Sequence, residues 1–475
     1  MASPHTVKTP PRGPVAATTA RHPVGPPCGG GFTAATGRFL LGQVCRAAGW
    51  VALTAWLVAC APAPRPNLPP PGPVLHFASR PATPPQRPNG QIAQDVLDLE
   101  FHLESGQTLP ALSRFDGPIT LRVTGPIPPT ASTDLAELMA RLRHEAGLDL
   151  HLTQGPANIT VAFAPQSSLQ RLDPTAACFV APNVTSLAEY RAKRGSDTLD
   201  WQTIRQRQRL TIFIPTGISP QEQRDCLHEE LAQALGPLND LYRLPDSVFN
   251  DDNFLSALTG FDMLMLRVHY SPDLATGMTE AEVAARLPAL LARLNPAGER
   301  PGLWDHPTTP RAWTDAVQIA LGTNSLNAAR LPAAQRMLAI ATGEGWQDAR
   351  LGLSYFALGR ALPTPDAARS AFQSAAAIYA HLPDGGARLS QALLQLAAID
   401  LATGQPQAAI TLADQALPLA QTTQNAALLT NLSVLKAQAL AQLGQTAAAA
   451  SLRLDTLPAA RYGFGLQQVV VPPGP

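Results

Sequence analysis

The chain has 475 residues, which is enough for two or three domains. Its 35 basic and 35 acidic residues give a formal net charge of +0, so no basic surface predicts binding to nucleic acid or to an anionic membrane. Residues 1–36 are rich in Pro, Gly and Thr without a periodic pattern. We expect them to be disordered or to precede the true start of the protein.

An uncharged run at residues 47–59 follows Arg38 and Arg46. Its thirteen residues are typical of a signal-peptide core and too few to span a bilayer. The run ends at residues 57–60 in Leu-Val-Ala-Cys, which resembles the lipobox of bacterial lipoproteins. A secretory signal that happens to end in cysteine is the alternative interpretation.

The lipoprotein resemblance implies that residues 37–60 are a signal peptide and that Cys60 is lipidated. A signal peptide of ordinary length further implies a start codon near Leu40 or Val44. Because Ala61 rather than Asp follows the cysteine, the resemblance also implies a periplasm-facing location at the outer membrane of a Gram-negative cell envelope.

A proline-rich tether follows the lipobox, since eleven of residues 61–90 are proline. Such a composition favours an extended polyproline linker, reaching on the order of 90 Å at ~3.1 Å per residue. We therefore expect the folded part of the protein to project away from the membrane, to which only the lipid attaches it.

Two cysteines, Cys178 and Cys226, remain in the mature chain besides Cys60. In an oxidising periplasm two cysteines most simply form a disulfide with each other. Metal ligation by the two thiols is the alternative, although they lack the C-x-x-C spacing of common metal sites. We favour the Cys178–Cys226 disulfide.

Residues 91–295 are predicted to form an α/β domain. Apolar residues at helical spacing predict helices at 91–105 and 134–146, and alternating or continuous apolar runs predict about five strands. The predicted strands lie at residues 119–125, 148–153, 158–165, 177–182 and 210–215.

The next helix has clear boundaries in the sequence. Ser219 and Glu222 have the spacing of a capping box, and Pro220 suits the first helical position. Gly236 and Pro237 end the helix. An apolar stripe faces the core, which leaves three polar residues on the opposite side.

Those three are Glu229, Glu230 and Gln233, within the pattern E-E-x-x-Q-x-x-G-x-x-N that runs to Asn239. The pattern resembles the metzincin zinc proteases, whose motif is H-E-x-x-H-x-x-G-x-x-H followed by a turn containing methionine. The resemblance implies a degenerate zincin fold in which Glu229, Gln233 and Asn239 replace the zinc-binding histidines. Glu230 then occupies the general-base position, and Phe249 the methionine position.

Residues 91–295 also resemble an uncharacterised domain-of-unknown-function family of proteobacterial putative lipoproteins (DUF, number 2927). The matching features are the helix C-x-x-E-E-L-A-Q-A-L-G, the ND and FNDD turns, and the run YSPDLATGM at 270–278. This resemblance implies the domain type and no known activity.

The chemistry of the polar helix face has three interpretations. Zinc favours imidazole and thiolate, so one glutamate and two amides make a poor zinc site and indicate a non-catalytic protein without a cofactor. A harder divalent cation could bind oxygen ligands that include the nearby Asp240, Asp251 and Asp252. A hydrolase using Glu230 would need such an ion, because it has to activate water.

The C-terminal part is predicted to be all-α. After a linker at 296–312, residues 313–462 repeat a glycine followed by an Ala-rich helix at Gly359, Gly404 and Gly444. The pattern resembles divergent tetratricopeptide-type hairpins, with an irregular helical bundle as the alternative. Such hairpins imply a groove for a protein or peptide partner. Residues 463–475 are expected to be a disordered tail.

These features together predict a lipid-anchored, non-catalytic binding or scaffold protein of the cell envelope. It would hold a protein or peptide partner in the helical groove or in the old active-site cleft. The alternative is a metal-dependent hydrolase or peptidase with an atypical oxygen-ligand site.

Overall fold

The computed structural model describes residues 72–465 except 78–80, 173–176, 253, 302–307 and 323–324. These residues fall within one compact unit, Pro69–Pro475. The predictions for residues 1–71, which include the signal peptide and Cys60, lie outside the described residues, as does the tail from 466. Among the helices of the described part, none is both long and apolar enough to cross a membrane.

A five-stranded sheet forms the centre of the first domain, at the positions that the sequence predicts. Its strands are β1 (Ile119–Thr124), β2 (Leu150–Leu152), β3 (Ile159–Pro165), β4 (Phe179–Pro182) and β5 (Leu210–Thr216). Their spatial order is β2-β1-β3-β5-β4, with β4 antiparallel to β5 and the other pairs parallel. The central strands β3 and β5 are nearly continuous apolar runs, as expected for strands that are covered on both faces.

Among the described residues, seven α-helices accompany the sheet. They are α1 (Asn89–Phe101), α2 (Ala131–Glu145), α3 (Gln166–Gln170), α4 (Leu187–Lys193), α5 (Pro220–Leu235), α6 (Gly260–His269) and α7 (Glu280–Leu294). The prediction extended the first helix to residue 105, but α1 ends at Phe101. His102 is extended and forms a β-bridge with Thr108, which pulls the chain out of the helix.

The predicted disulfide is confirmed. Cys178 and Cys226 are bonded, with their Cα atoms 6.0 Å apart. Because Cys178 directly precedes β4 and Cys226 lies on α5, the bond joins the edge strand of the sheet to the helix that carries the polar motif.

The second domain is all-α, as predicted. Its eight helices are α8 (Arg311–Leu321), α9 (Asn327–Gly343), α10 (Ala349–Ala361), α11 (Pro365–Tyr379), α12 (Gly386–Ala402), α13 (Pro406–Thr422), α14 (Ala426–Gln442) and α15 (Thr446–Phe464). Each packs on the next along the chain, which gives a row of helical hairpins.

The predicted glycine repeat holds at two of its three positions. Gly404 and Gly444 have φ angles of +74° and +75° in the turns before α13 and α15. Gly359 instead lies inside α10, where a Cβ atom would come within 2.8 Å of the Phe372 ring. Gly359 therefore allows close helix packing. It is not equivalent to Gly404, so the distance between them in the sequence is not the length of a repeat.

The described part of the proline-rich segment is not a free linker. From residue 72 onward the described segment packs on the folded domains, because it carries side chains that are buried there. The Leu75 amide donates to the carbonyl of Pro458 on α15 (3.0 Å), Phe77 is buried, and Arg87 is only 7% exposed. The prediction of a free linker over 61–90 is therefore wrong for its second half.

Buried polar side chains join the two domains. Arg388 on α12 pairs with Asp252 (2.6 Å) and donates to the carbonyl of Leu244 (3.2 Å). The Gln221 side chain of α5 accepts from the amide of Ala426, at the start of α14 (2.9 Å). The first domain thus contacts the N-terminal ends of α12 and α14.

Candidate functional site

Helix α5 is the platform of the site, and its ends are fixed as the sequence predicts. The Ser219 hydroxyl and the Glu222 carboxylate form the reciprocal capping box at its start. At its end the Arg207 guanidinium donates to the carbonyls of Gln233 (2.8 Å), Ala234 (2.9 Å) and Gly236. Sequence reasoning did not identify Arg207, because it comes from the loop before β5.

The three predicted zinc-ligand positions carry side chains with other roles. Gln233 Nε2 donates to the carboxylate of Asp240 (3.0 Å), and Asn239 Nδ2 donates to the carbonyl of Asp98 (2.9 Å). Glu229 is half-buried. Two of the three positions are thus bound into the protein through their amide nitrogens, and none offers an imidazole.

Adjacent glutamates on a helix are usually exposed to solvent, but Glu230 is buried. It is only 5% exposed, and its Oε2 accepts no hydrogen bond from the described residues. Burial, and then the charges of Glu229 and Glu104, raise the pKa of Glu230 well above its usual value. The burial of Glu230 therefore favours the neutral form of its carboxyl group over the charged form.

The turn after α5 is packed in the core and tied to α6. Phe249, in the predicted methionine position, is fully buried. Its amide donates to the Ser247 hydroxyl (3.0 Å), which in turn donates to the Asp262 carboxylate (2.6 Å). Asp262 also accepts from the amides of Val248 and Thr259, so one carboxylate holds the turn and caps α6.

The two histidines near the site are buried in the core. His228 is 3% exposed and its Nδ1 accepts from the amide of Leu258 (3.1 Å). His269 Nδ1 lies 2.8 Å from a Glu100 carboxylate oxygen. Burial lowers the pKa of both histidines.

A cluster of three carboxylates lies beside the predicted site. Glu104, Asp240 and Asp251 each place a carboxylate oxygen within 4.8 Å of the other two. They line a cleft of about 530 Å³ together with Asn239 and Tyr242. The sequence drew attention to Asp240 and Asp251, whereas no motif points to Glu104, which the fold brings in from the turn after α1.

The cluster is electrostatically unfavourable as it stands. Burial raises the pKa of Asp251 to about 7 and that of Glu229 to about 8, with further contributions from neighbouring carboxylates. The pKa of Asp240 is raised in the same way, first by burial and then by Glu229, Asp251 and Glu104. Asp252, by contrast, is paired with Arg388, which lies outside the cluster.

A network of paired opposite charges lies close by. Arg243 donates to Asp95 (2.8 Å) and Asp98 (2.7 Å), and Arg87 bridges Asp95 and Asp246. All but Asp98 are below 10% exposure. The network joins the tether and α1 to the segment that follows α5.

The fold and this geometry define an α/β domain with a carboxylate-lined cleft, followed by a row of helical hairpins. Residues 89–289 match a protein family described as protein of unknown function (DUF2927). The match begins with α1 and ends within α7, so it covers the α/β domain and not the helical one. A search of curated proteins finds no match to the chain.

Proposed function

We propose that the protein is a non-catalytic binding or scaffold protein of the cell envelope. Its first domain would be a degenerate metzincin-like domain, and its second a tetratricopeptide-like module. The observation that carries the proposal is the state of the motif helix. Gln233 and Asn239 are bound to protein acceptors where zinc ligands would stand, and Glu230 is buried, which raises the pKa of its carboxyl group.

A large cleft between the domains supports binding rather than chemistry. It has a volume of about 930 Å³ and lies beyond the carboxyl ends of β1, β3 and β5, where α/β sheets commonly bind ligands. Its walls include Pro126, Gln166 and Thr216 from those strand ends and Gly465 after α15. Its two carboxylates are Glu222, which caps α5, and Asp225, which accepts from Gln221 (2.6 Å).

Measurements of zinc content and peptidase activity distinguish the scaffold function from the hydrolase function. We expect the purified full chain to contain no stoichiometric zinc and to cleave unfolded protein substrates no faster than its Glu230→Gln variant does. Because the pKa of Glu230 is raised, the glutamine variant should keep the native fold. Stoichiometric zinc together with hydrolysis that is lost in Glu230→Gln would overturn the scaffold proposal.

Photo-crosslinking in cells tests where the partner binds. Benzoylphenylalanine at the exposed position 166 in the interdomain cleft should give a discrete crosslinked protein or peptide. The matched control is the exposed position 407 on α13, outside that cleft. Equal crosslinking from both positions would contradict binding in the cleft.

The membrane attachment is tested separately. We expect Cys60→Ala to move the protein from the membrane fraction to the periplasmic fraction and to abolish incorporation of labelled fatty acid. An unchanged distribution and unchanged labelling would contradict the lipoprotein proposal.

A further inference from the structure

We propose that Glu104, Asp240 and Asp251 form a calcium site whose shell includes the side-chain oxygen of Asn239. The site lies beside the predicted zinc positions and uses a different set of carboxylates. It does not depend on the function proposed above.

The spacing of the oxygens fits one central ion. Two oxygens that each lie about 2.4 Å from an ion are at most about 4.8 Å apart, and calcium–oxygen distances are about 2.3–2.6 Å. The three carboxylates each supply an oxygen within this limit of the others. They come from the turn after α1 and from two turns after α5, so the fold brings them together independently of their order in the chain.

The cluster also holds acceptors that lack donors. Asp240 Oδ1 and Asn239 Oδ1 accept no hydrogen bond from any described residue, although both side chains are at least nine-tenths buried. Their other polar atoms are held, because Asp240 Oδ2 accepts from Gln233 and Asn239 Nδ2 donates to Asp98. A buried acceptor without a partner costs free energy, which a bound cation would recover.

The two arginines that line the cleft pair with carboxylates outside the cluster. Arg243, which lines the same cleft, is bound by Asp95 and Asp98. Arg311 lies at the exposed rim, 3.6 Å from Asp315. Within the described parts of the chain, no arginine or lysine forms an ion pair with Glu104 or Asp240.

The ligand chemistry selects calcium. Carboxylates and an amide oxygen are hard ligands, and the cleft is open to water, which would complete a shell of six to eight oxygens. Zinc would require imidazole or thiolate, which the cluster lacks. Magnesium prefers a smaller octahedral shell at about 2.0–2.1 Å. A bound calcium ion would fasten the turn after α1 to the turns after α5.

Thermal unfolding of the chelator-treated full chain in detergent tests the site. Calcium at 1 mM should raise the Tm by several degrees, and magnesium at the same concentration should raise it much less. Asp251→Asn should raise, at least tenfold, the calcium concentration that produces half of the increase in Tm. Asp315→Asn, which removes an exposed carboxylate from the same cleft, should leave the response unchanged.

Terbium luminescence gives a second readout that does not rest on stability. Tyr242 hydrogen-bonds Asp251 and lies 5.2 Å from the Trp313 ring, so a lanthanide in the site should show aromatic-sensitised emission that calcium displaces. If Asp251→Asn misfolds, Glu104→Gln in the exposed turn serves as the test variant. Absence of sensitised emission, equal responses to calcium and magnesium, or full responses in these variants would overturn the proposal.

Discussion

Two neighbouring clusters of charged side chains differ in composition. The network around Arg87 and Arg243 places two guanidinium groups against Asp95, Asp98 and Asp246. Beside the 530 Å³ cleft, Glu104, Asp240 and Asp251 bring three carboxylates together. Both clusters connect the region of α1 to the segment after α5. The difference is that the first cluster pairs opposite charges, whereas the second brings like charges together.

The two clusters use residues that are close together in the turn after α5. Asp240 belongs to the carboxylate cluster, and Arg243, three positions later, belongs to the paired network. Arg243 pairs with Asp95 and Asp98, and no arginine or lysine of the described residues pairs with Asp240. Removing charge should therefore have opposite effects on stability in the two clusters.

The largest effect is expected from Arg243→Ala. It removes the arginine that pairs with Asp98 and one of the two arginines that pair with Asp95, and breaking a buried ion pair costs about 3–5 kcal/mol. Guanidinium chloride unfolding in the presence of chelator measures the loss. A loss below about 1 kcal/mol would show that the network does not hold the segment.

An intermediate effect of opposite sign is expected from Glu229→Gln. The pKa of Glu229 is about 8 in the folded protein against an ordinary value of 4.5, so between these values the folded state binds the extra proton. The free energy of unfolding of wild type should therefore fall as the pH rises from about 4.5 to about 8.

The glutamine variant lacks this titration and should be more stable than wild type by more than about 1 kcal/mol at pH 8 without calcium, because each pKa unit corresponds to about 1.4 kcal/mol. Unfolding curves of both proteins at several pH values measure the difference. Asp315→Asn is the matched control. Identical pH profiles for wild type and Glu229→Gln would refute the electrostatic description of the cleft.

The smallest effect is expected from Asp414→Ala on the helical domain. It removes an ion pair with Lys436 (2.6 Å) in which the Asp414 side chain is 51% exposed. Exposed pairs contribute about 0–1 kcal/mol, and salt screens them. Chemical unfolding at low and high salt checks this value. A loss of stability as large as that of Arg243→Ala would mean that burial does not explain the difference between this exposed pair and the buried network.

By itself, the sequence determined most of the local structure. The capping residues Ser219 and Glu222 and the terminator Gly236 set the limits of α5, and apolar runs placed all five strands, because these signals act over a few residues. The Cys178–Cys226 bond followed from these being the two cysteines after the lipobox. The division into an α/β and an all-α domain was equally readable.

Only the tertiary structure decided the environment of the polar residues. In the folded protein Glu230 is buried, Gly359 lies within a helix rather than in the predicted turn, and the second half of the tether packs on the domains. It also brought Glu104 to Asp240 and Asp251. Burial and charge proximity depend on contacts between distant segments, and a pattern of neighbouring residues does not contain them.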